Sequence, residues 1–382
     1  MEQILAKMEE KFDILVDYII GKFEEDLRNT PQSKIFHGEG DVYTHTMMVC
    51  DALTSLDEYK VLPSKQQYIL YVAALLHDVG KISTTVLQDG DLHSPNHGSR
   101  GSKMARELLF KDLGIAGKEE YMEFRETVCM LVRNHMFPPH AIYQENSILR
   151  LHKMSSNGIV LPDYSNKMLY LLSKADILGR KSDDTNKLLD DVEYFAELAK
   201  EEQCFDTYYK FKSDYARRQY LLGKTSFKDM VFYNETWGNV IMMSGLPGVG
   251  KDYMINLNLK NLPMISLDEI RKEHKIKPTD NQGKLVNIGR EKAKEYLRNC
   301  QPFVWNATNI TPQMRESLIS LFEGYRASVT INYIEASWNR ILKQNSDREN
   351  IVPQQAISGM LGKLLPPSVS EATTVNWIGI EG

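Results

Sequence analysis

The chain has 382 residues, 42% of them hydrophobic and 25% charged, with a formal net charge of −5. That length predicts two domains rather than one core, the composition is that of a soluble globular protein, and no run of about 18 apolar residues is present to cross a membrane. The net negative charge excludes bulk attraction to nucleic acid, so any polyanion binding must come from local basic patches.

The N-terminal stretch MEQILAKMEEKFDILVDYII reads as an amphipathic acidic helix without the layout of a secretory signal, which predicts a cytoplasmic protein. Helical periodicity continues to about residue 235 with almost no strand pattern, so this half is predicted to be all-α. His45 falls in line with Met48, Val49, Ala52, Leu53 and Leu56 at helical spacing and is therefore predicted to point into the core. The same test places His135 with Val128, Leu131 and Val132, and Asp176 with Leu169 and Leu172. His77 and Asp78 close the apolar run YILYVAALLHDVGK, for which Gly80 is the predicted C-terminal cap, and His97 is placed in a loop ahead of the helix GSKMARELL. Polar groups that enter a core separately are costly, so these are read as satisfying one another around a cation. Imidazole with carboxylate suits Mn, Fe, Ni, Co or Zn rather than Ca. Lys81, Arg100, Arg133 and Arg180 are candidate phosphate contacts, with solvated surface charge as the alternative. Cys50, Cys129, Cys204 and Cys300 have no CxxC spacing and are read as core residues.

Residues 191–235 are expected to form a helical connection between a domain at 1–190 and one at 236–382. The second domain is predicted to be α/β from NETWGNVIMMSGLPGVGKD onward, where a short apolar strand meets a glycine-rich turn and a helix. Within GLPGVGKD the backbone of Gly245, Gly248, Val249 and Gly250 can face phosphate oxygens while Lys251 reaches the β and γ phosphates of ATP or another NTP. Asp252 stands where Ser or Thr ordinarily ligates Mg²⁺; it would either ligate the ion directly or repel the triphosphate. In PMISLDEIRKE a strand runs into a helix, placing Asp268 where it can take a proton from an attacking hydroxyl or cap the helix, with Arg271 one turn later. Between residues 271 and 298 nine Lys/Arg face four Asp/Glu, an excess suited either to a nucleic-acid strand or to a solvated helix face.

His45, the His77-Asp78 pair, His97, His135 and Asp176 occur in an order that resembles the HD phosphohydrolase superfamily. LLHDVGKISTT, SPNHGSRGSKMARELL, LVRNHMFPP and KADILGR are especially similar to HD domains attached to bacterial tRNA nucleotidyltransferases. The resemblance implies that His45, His77, Asp78 and Asp176 hold one metal, and that Asp78 bridges to a second completed by His97 and His135. The phosphate loop together with SLDEIR, NATNITPQMR and NSDRENIVP resembles the polynucleotide 5′-kinase family. By that resemblance Asp268 is the general base, Arg271 contacts the phosphate beside the accepting nucleotide, and Arg348 is the lid arginine at the γ-phosphate. The family often has aspartate where this chain has Asn306.

The two halves together resemble bacterial bifunctional HD phosphohydrolase/polynucleotide kinase proteins. The implied fold class is α + α/β, an all-α HD-superfamily domain followed by a P-loop kinase domain with a parallel sheet. The implied function is healing of RNA or DNA ends: removal of 2′,3′-cyclic, 3′ or 2′ phosphates, with Asp78 at the catalytic centre, and phosphorylation of a 5′-hydroxyl with Mg²⁺ and ATP. Sealing would need a separate ligase; no membrane partner is expected, and a homo-oligomer is left open. Two other readings stay open: a nucleotide hydrolase fused to a small-metabolite kinase, and a P-loop module that only senses nucleotide.

Overall fold

The computed structural model describes residues 12–277, 280 and 282–380. The chain divides into two units, the first comprising residues up to Leu109 with Glu123–Tyr209, the second Phe110–Met122 with Lys210–Gly382. The segment 191–235 is thus divided at Tyr209, and residues 222–238 form neither helix nor strand.

The first unit is built from helices α1 (Phe12–Arg28), α2 (Val42–Ser55), α3 (Ser64–Leu76), α4 (His97–Glu107), α5 (Glu119–Asn134, which enters this unit at Glu123), α6 (Asn166–Leu178) and α7 (Thr185–Glu201) with shorter turns between them. The part of the N-terminal amphipathic helix before Phe12 lies outside the described residues. Asp41 starts α2 by accepting a hydrogen bond from Thr44 N at 2.8 Å, and Ser165 starts α6 by accepting one from Met168 N at 3.3 Å. Helix α6 packs against both α2 and α7, and α2 packs on α3. Their buried stripes include Val49, Leu53, Leu169 and Leu172, as helical spacing predicts.

The first unit is helical, as expected, with one small exception, and three local expectations need correction. A two-stranded antiparallel hairpin, β1 (Val86–Gln88) and β2 (Asp91–His93), interrupts the predicted all-α half. Its turn is Asp89-Gly90, both at positive φ, which suits the right-handed twist of paired strands. Gly80 is not a left-handed cap: it has φ −65° at the start of a short helix, Lys81–Thr84. Its lack of a side chain serves close approach, since a Cβ there would lie 2.1 Å from the His97 carbonyl oxygen. His97 itself is the first residue of α4 rather than a loop residue. Of the four cysteines, Cys50, Cys129 and Cys204 are buried, whereas Cys300 is exposed in the turn that follows residue 298.

In the second unit five parallel strands form one sheet in the order β4-β5-β3-β6-β7, with β3 Asn239–Ser244, β4 Met264–Ser266, β5 Val304–Asn306, β6 Ser328–Ala336 and β7 Thr374–Ile380. The chain leaves β3 toward β4 and β5 on one side, then returns to its other side with β6. The end of β3 is therefore a topological switch point, where open α/β sheets bind ligands. Phe110, Ala116 and Met122 belong to the core of this unit with Met243, Tyr333 and Ala336. The Phe110 ring meets Trp338 edge-on at 6.5 Å, and burying such a side chain contributes roughly 1.5–3 kcal/mol. The buried carboxylate of Glu335 ties the same segment down, accepting from Gly117 N at 3.1 Å and from the Tyr333 hydroxyl at 2.7 Å. Among the described residues no helix is long and apolar enough to cross a membrane.

Candidate functional site

In the first unit, α2 supplies His45, the end of α3 supplies His77 and Asp78, α4 begins with His97, His135 follows α5, and Asp176 lies in α6. All six sequence-predicted ligands converge. The Nδ1 atoms of His77, His97 and His135 lie 2.7, 2.8 and 2.7 Å from the carbonyl oxygens of Ala74, Ser94 and Val132. A carbonyl only accepts, so each Nδ1 carries a proton and each ring turns its Nε2 toward the site. These Nε2 atoms point at one another: His77 lies 3.3 Å from His45, and His97 lies 3.1 Å from His135.

Asp78 sits between the two pairs. Its Oδ2 lies 3.3 Å from His77 Nε2 and 3.6 Å from His45 Nε2, while Oδ1 lies 3.3 Å from His97 Nε2 and 3.8 Å from His135 Nε2. Asp176 Oδ1 closes the first group at 3.1 Å from His45 Nε2. Asp78 Oδ1 is buried and has no hydrogen-bond partner. An orphaned carboxylate oxygen facing the Nε2 atoms of a histidine cluster is a donor set for a divalent cation, so the residues fit the metal that the chemistry calls for.

Electrostatics hold Asp78, Asp176 and His135 in ligating form. Burial alone would raise Asp78, but Lys81, His77 and His97 outweigh it and hold the carboxyl well below its usual range. Lys81 Nζ is 2.7 Å from Asp78 Oδ2 and donates to Gln32 Oε1 at 2.7 Å. Asp176 is likewise held low: burial opposes ionisation, and His45 and His77 overcome it. Burial, then the crowding imidazoles of His97 and His77, push His135 down to about 3. His45 goes the other way, to about 9, because Asp176 and Glu39 outweigh burial.

Glu39 was not singled out by sequence reasoning. Its Oε1 lies 2.9 Å from His37 Nδ1 and 3.0 Å from His45 Nδ1, and its Oε2 accepts from Lys181 N at 2.9 Å. It orients His45 from behind. Glu39 and His37 occupy a loop, where no periodicity exists to reveal them.

A cleft of about 430 Å³ opens onto Asp78, His97 and Asp176 and is lined by Lys81, Arg180 and Phe36 among others. Arg180 Nε is buried without a hydrogen-bond partner, which leaves it available to an anion. Arg100 and Arg133 are not brought to this cleft; both are exposed, donating to Ser83 and Ser99 respectively.

In the second unit the loop 245–250 joins β3 to α8 (Lys251–Asn258). Gly245, Gly248 and Gly250 have φ of +145°, +80° and +94°, conformations that turn successive N–H groups inward at the start of a helix. The Val249 side chain is buried in the core, leaving its backbone for a ligand. Lys251 Nζ donates to the carbonyls of Gly245 and Leu246 at 3.0 and 2.9 Å, and burial lowers it to about 8 although Asp252 and Asp268 oppose the shift.

Helix α9 (Leu267–Glu273) is capped by Ser266, which accepts from Glu269 N at 3.3 Å. Asp268 therefore does not serve as the cap. Its carboxylate instead meets two arginines: Arg271 at Oδ1, and Arg348, 80 residues away, at Oδ2 with a separation of 3.2 Å. Asp252 Oδ1 accepts from Asn306 Nδ2 at 2.6 Å, joining the first turn of α8 to the end of β5. Along α10 (Gln282–Arg298) an open groove of about 700 Å³ is lined by His274, Lys284, Asn287 and Lys292, interleaved with Glu291 and Glu295.

Residues 42–158 match the family model described as HD domain, and residues 240–367 match the one described as AAA domain. The chain therefore carries a helical HD hydrolase domain fused to a P-loop, kinase-like domain with a five-stranded parallel sheet. Such domains imply a divalent metal at the first site and a nucleotide with Mg²⁺ at the second.

Proposed function

We propose that this protein heals RNA ends, removing 2′,3′-cyclic, 3′ or 2′ phosphates at its HD site and phosphorylating 5′-hydroxyls with ATP at its P-loop site. What carries the reading is a hydrolytic His/Asp cluster joined in one chain to a phosphate loop whose neighbouring base is open: the Asp268 side chain is 62% exposed. A base that receives the end of a polymer must be reachable from solvent, whereas a small metabolite is ordinarily enclosed. These two reactions repair the ends left by metal-independent RNA cleavage, and a separate ligase would then join them.

At the first site His45, His77, Asp78 and Asp176 would hold one ion, and Asp78, His97 and His135 a second. When bound, the ions supply Lewis acidity and neutralise charge on the phosphoryl group. Asp78 spans both groups of imidazoles, and Lys81 fixes its carboxylate. Arg180 donates to a non-bridging oxygen across the cleft.

At the second site the loop N–H groups bind the β-phosphate, and Lys251 exchanges the carbonyls of Gly245 and Leu246 for phosphate oxygens. Asp268 accepts the proton of the 5′-hydroxyl as its oxygen bonds to the γ-phosphorus and the bond to the β-bridging oxygen breaks, releasing ADP. Arg348 leaves Asp268 to compensate charge on the transferring group, and Arg271 holds the phosphate next to the accepting nucleotide. The basic residues along α10 guide the strand.

The test is a short RNA bearing a 5′-hydroxyl and a 2′,3′-cyclic phosphate, incubated with the protein, Mg·ATP and Mn²⁺ and read at both ends by mass. Gain of a 5′-phosphate with loss of the 3′-terminal phosphate is expected. No change at either end with Mn, Ni, Co, Fe and Zn each supplied would overturn the reading in favour of free nucleotides.

A further inference from the structure

In the usual phosphate loop a Ser or Thr hydroxyl after the lysine ligates Mg²⁺ and a carboxylate at a neighbouring strand end supports the ion. Here both positions differ: Asp252 follows Lys251, and an amide, Asn306, ends β5. The two side chains meet at 2.6 Å, with Asn306 Nδ2 donating to Asp252 Oδ1. Only that orientation is allowed, because the reverse would set an amide oxygen against a carboxylate. Asn306 is 6% exposed, its Nδ2 also lies 3.8 Å from Met264 Sδ, and its Oδ1 has no hydrogen-bond partner, so the bond to Asp252 is the strong one the amide makes. Asp252 is exposed, and its Oδ2 makes no hydrogen bond among the described residues.

We infer that Asp252 and Asn306 have exchanged the usual roles, so that the carboxylate at the start of the helix is the magnesium ligand and the strand-end amide is its positioning residue. A Ser/Asp pair and an Asp/Asn pair each carry one negative charge, so the charge offered to the ion is conserved while its location moves. Mg²⁺ takes oxygen ligands and commonly binds through one or two carboxylates with substrate phosphates, which a solvent-facing Asp252 Oδ2 satisfies. Asp252 is then a built part of the nucleotide site rather than a source of repulsion. The proposal rests on the kinase reading.

Isothermal titration of the full chain with ATP, in Mg²⁺ and separately in EDTA, tests it without relying on turnover. The parent chain is expected to gain about tenfold or more in ATP affinity from Mg²⁺, a gain that Asp252→Asn removes while affinity in EDTA holds or rises. The exchange variant Asp252→Ser/Asn306→Asp should recover most of the gain, and Mn²⁺ immobilised with ATP, read by electron paramagnetic resonance, should follow the same order. Retention of the full gain in Asp252→Asn, tighter Mg·ATP binding by it, or failure of the exchange variant to recover would overturn the role exchange and leave the kinase reading standing. Absence of ATP binding by the parent chain in both media would overturn the kinase reading and this inference with it.

Discussion

Asp78, at the centre of the first site, is 2% exposed, while Asp268, at the centre of the second, has a side chain 62% exposed. A buried carboxylate must have its charge answered by fixed partners, and Asp78 has Lys81 and four imidazole nitrogens around it. Losing one partner of such a buried ionic set costs several kcal/mol, so the geometry is set before any ligand arrives. Asp268 answers its charge with Arg271 and Arg348, contacts that exposed groups make and break at a cost of about 1 kcal/mol or less. The comparison teaches that the His/Asp cluster is preformed, whereas the groups around the phosphate loop rest on one another in contacts that a proposed substrate would have to replace.

The sharpest way to break that comparison is to disable each site alone. Asp78→Ala is expected to lower phosphate removal by about 10³-fold or more and to spare 5′-phosphorylation, with Lys251→Ala doing the reverse. Both ends of one RNA read by mass give the answer, and loss of both activities in either variant would show that the sites are energetically coupled. If Arg348 moves from Asp268 to the transferring phosphoryl group, Arg348→Ala lowers the kinase kcat by about 10³-fold with ATP affinity changed little. Single-turnover kinetics that showed only weaker ATP binding would make it a ground-state contact.

Phe110→Ala probes the unit boundary. Denaturant unfolding should show the second unit weakened by about 3–5 kcal/mol, although residue 110 lies amid first-unit sequence. Destabilisation confined to the first unit would contradict that placement. Glu39→Gln sharpens the preformed picture, with metal affinity expected to fall about 10–100-fold because His45 loses the carboxylate behind it. Metal titration of the purified variant checks this, and unchanged affinity would remove Glu39 from the site. The smallest effect is Ser266→Ala, expected to cost about 1 kcal/mol of stability with the chemical step intact. A large loss in kcat would instead mean that the cap holds Asp268 in place for the reaction.

Legibility in the sequence followed the kind of signal available. His45, His135 and Asp176 were readable because each shares a helical stripe with apolar residues, and the stripe fixes an inward direction. The phosphate loop was readable because its glycines and Lys251 are consecutive. The Asp89-Gly90 hairpin carried a local turn signal that helical periodicity on either side obscured. Gly80 was misread as a cap because its true constraint, the His97 backbone, lies 17 residues away in sequence. Cys300 was misplaced because cysteine composition carries no direction.

By itself the sequence determined the two kinds of unit, the identity of the converging histidines and aspartates, and the position of the phosphate loop, since spacing along a helix or within a turn is a local property. Tertiary structure alone decided that Glu39 stands behind His45, that Arg348 reaches Asp268, that Asp252 pairs with Asn306, and that 110–122 completes the second core. Each of those joins groups by packing across elements, and the free energy that selects such a contact depends on burial and partners that exist only once the chain has folded.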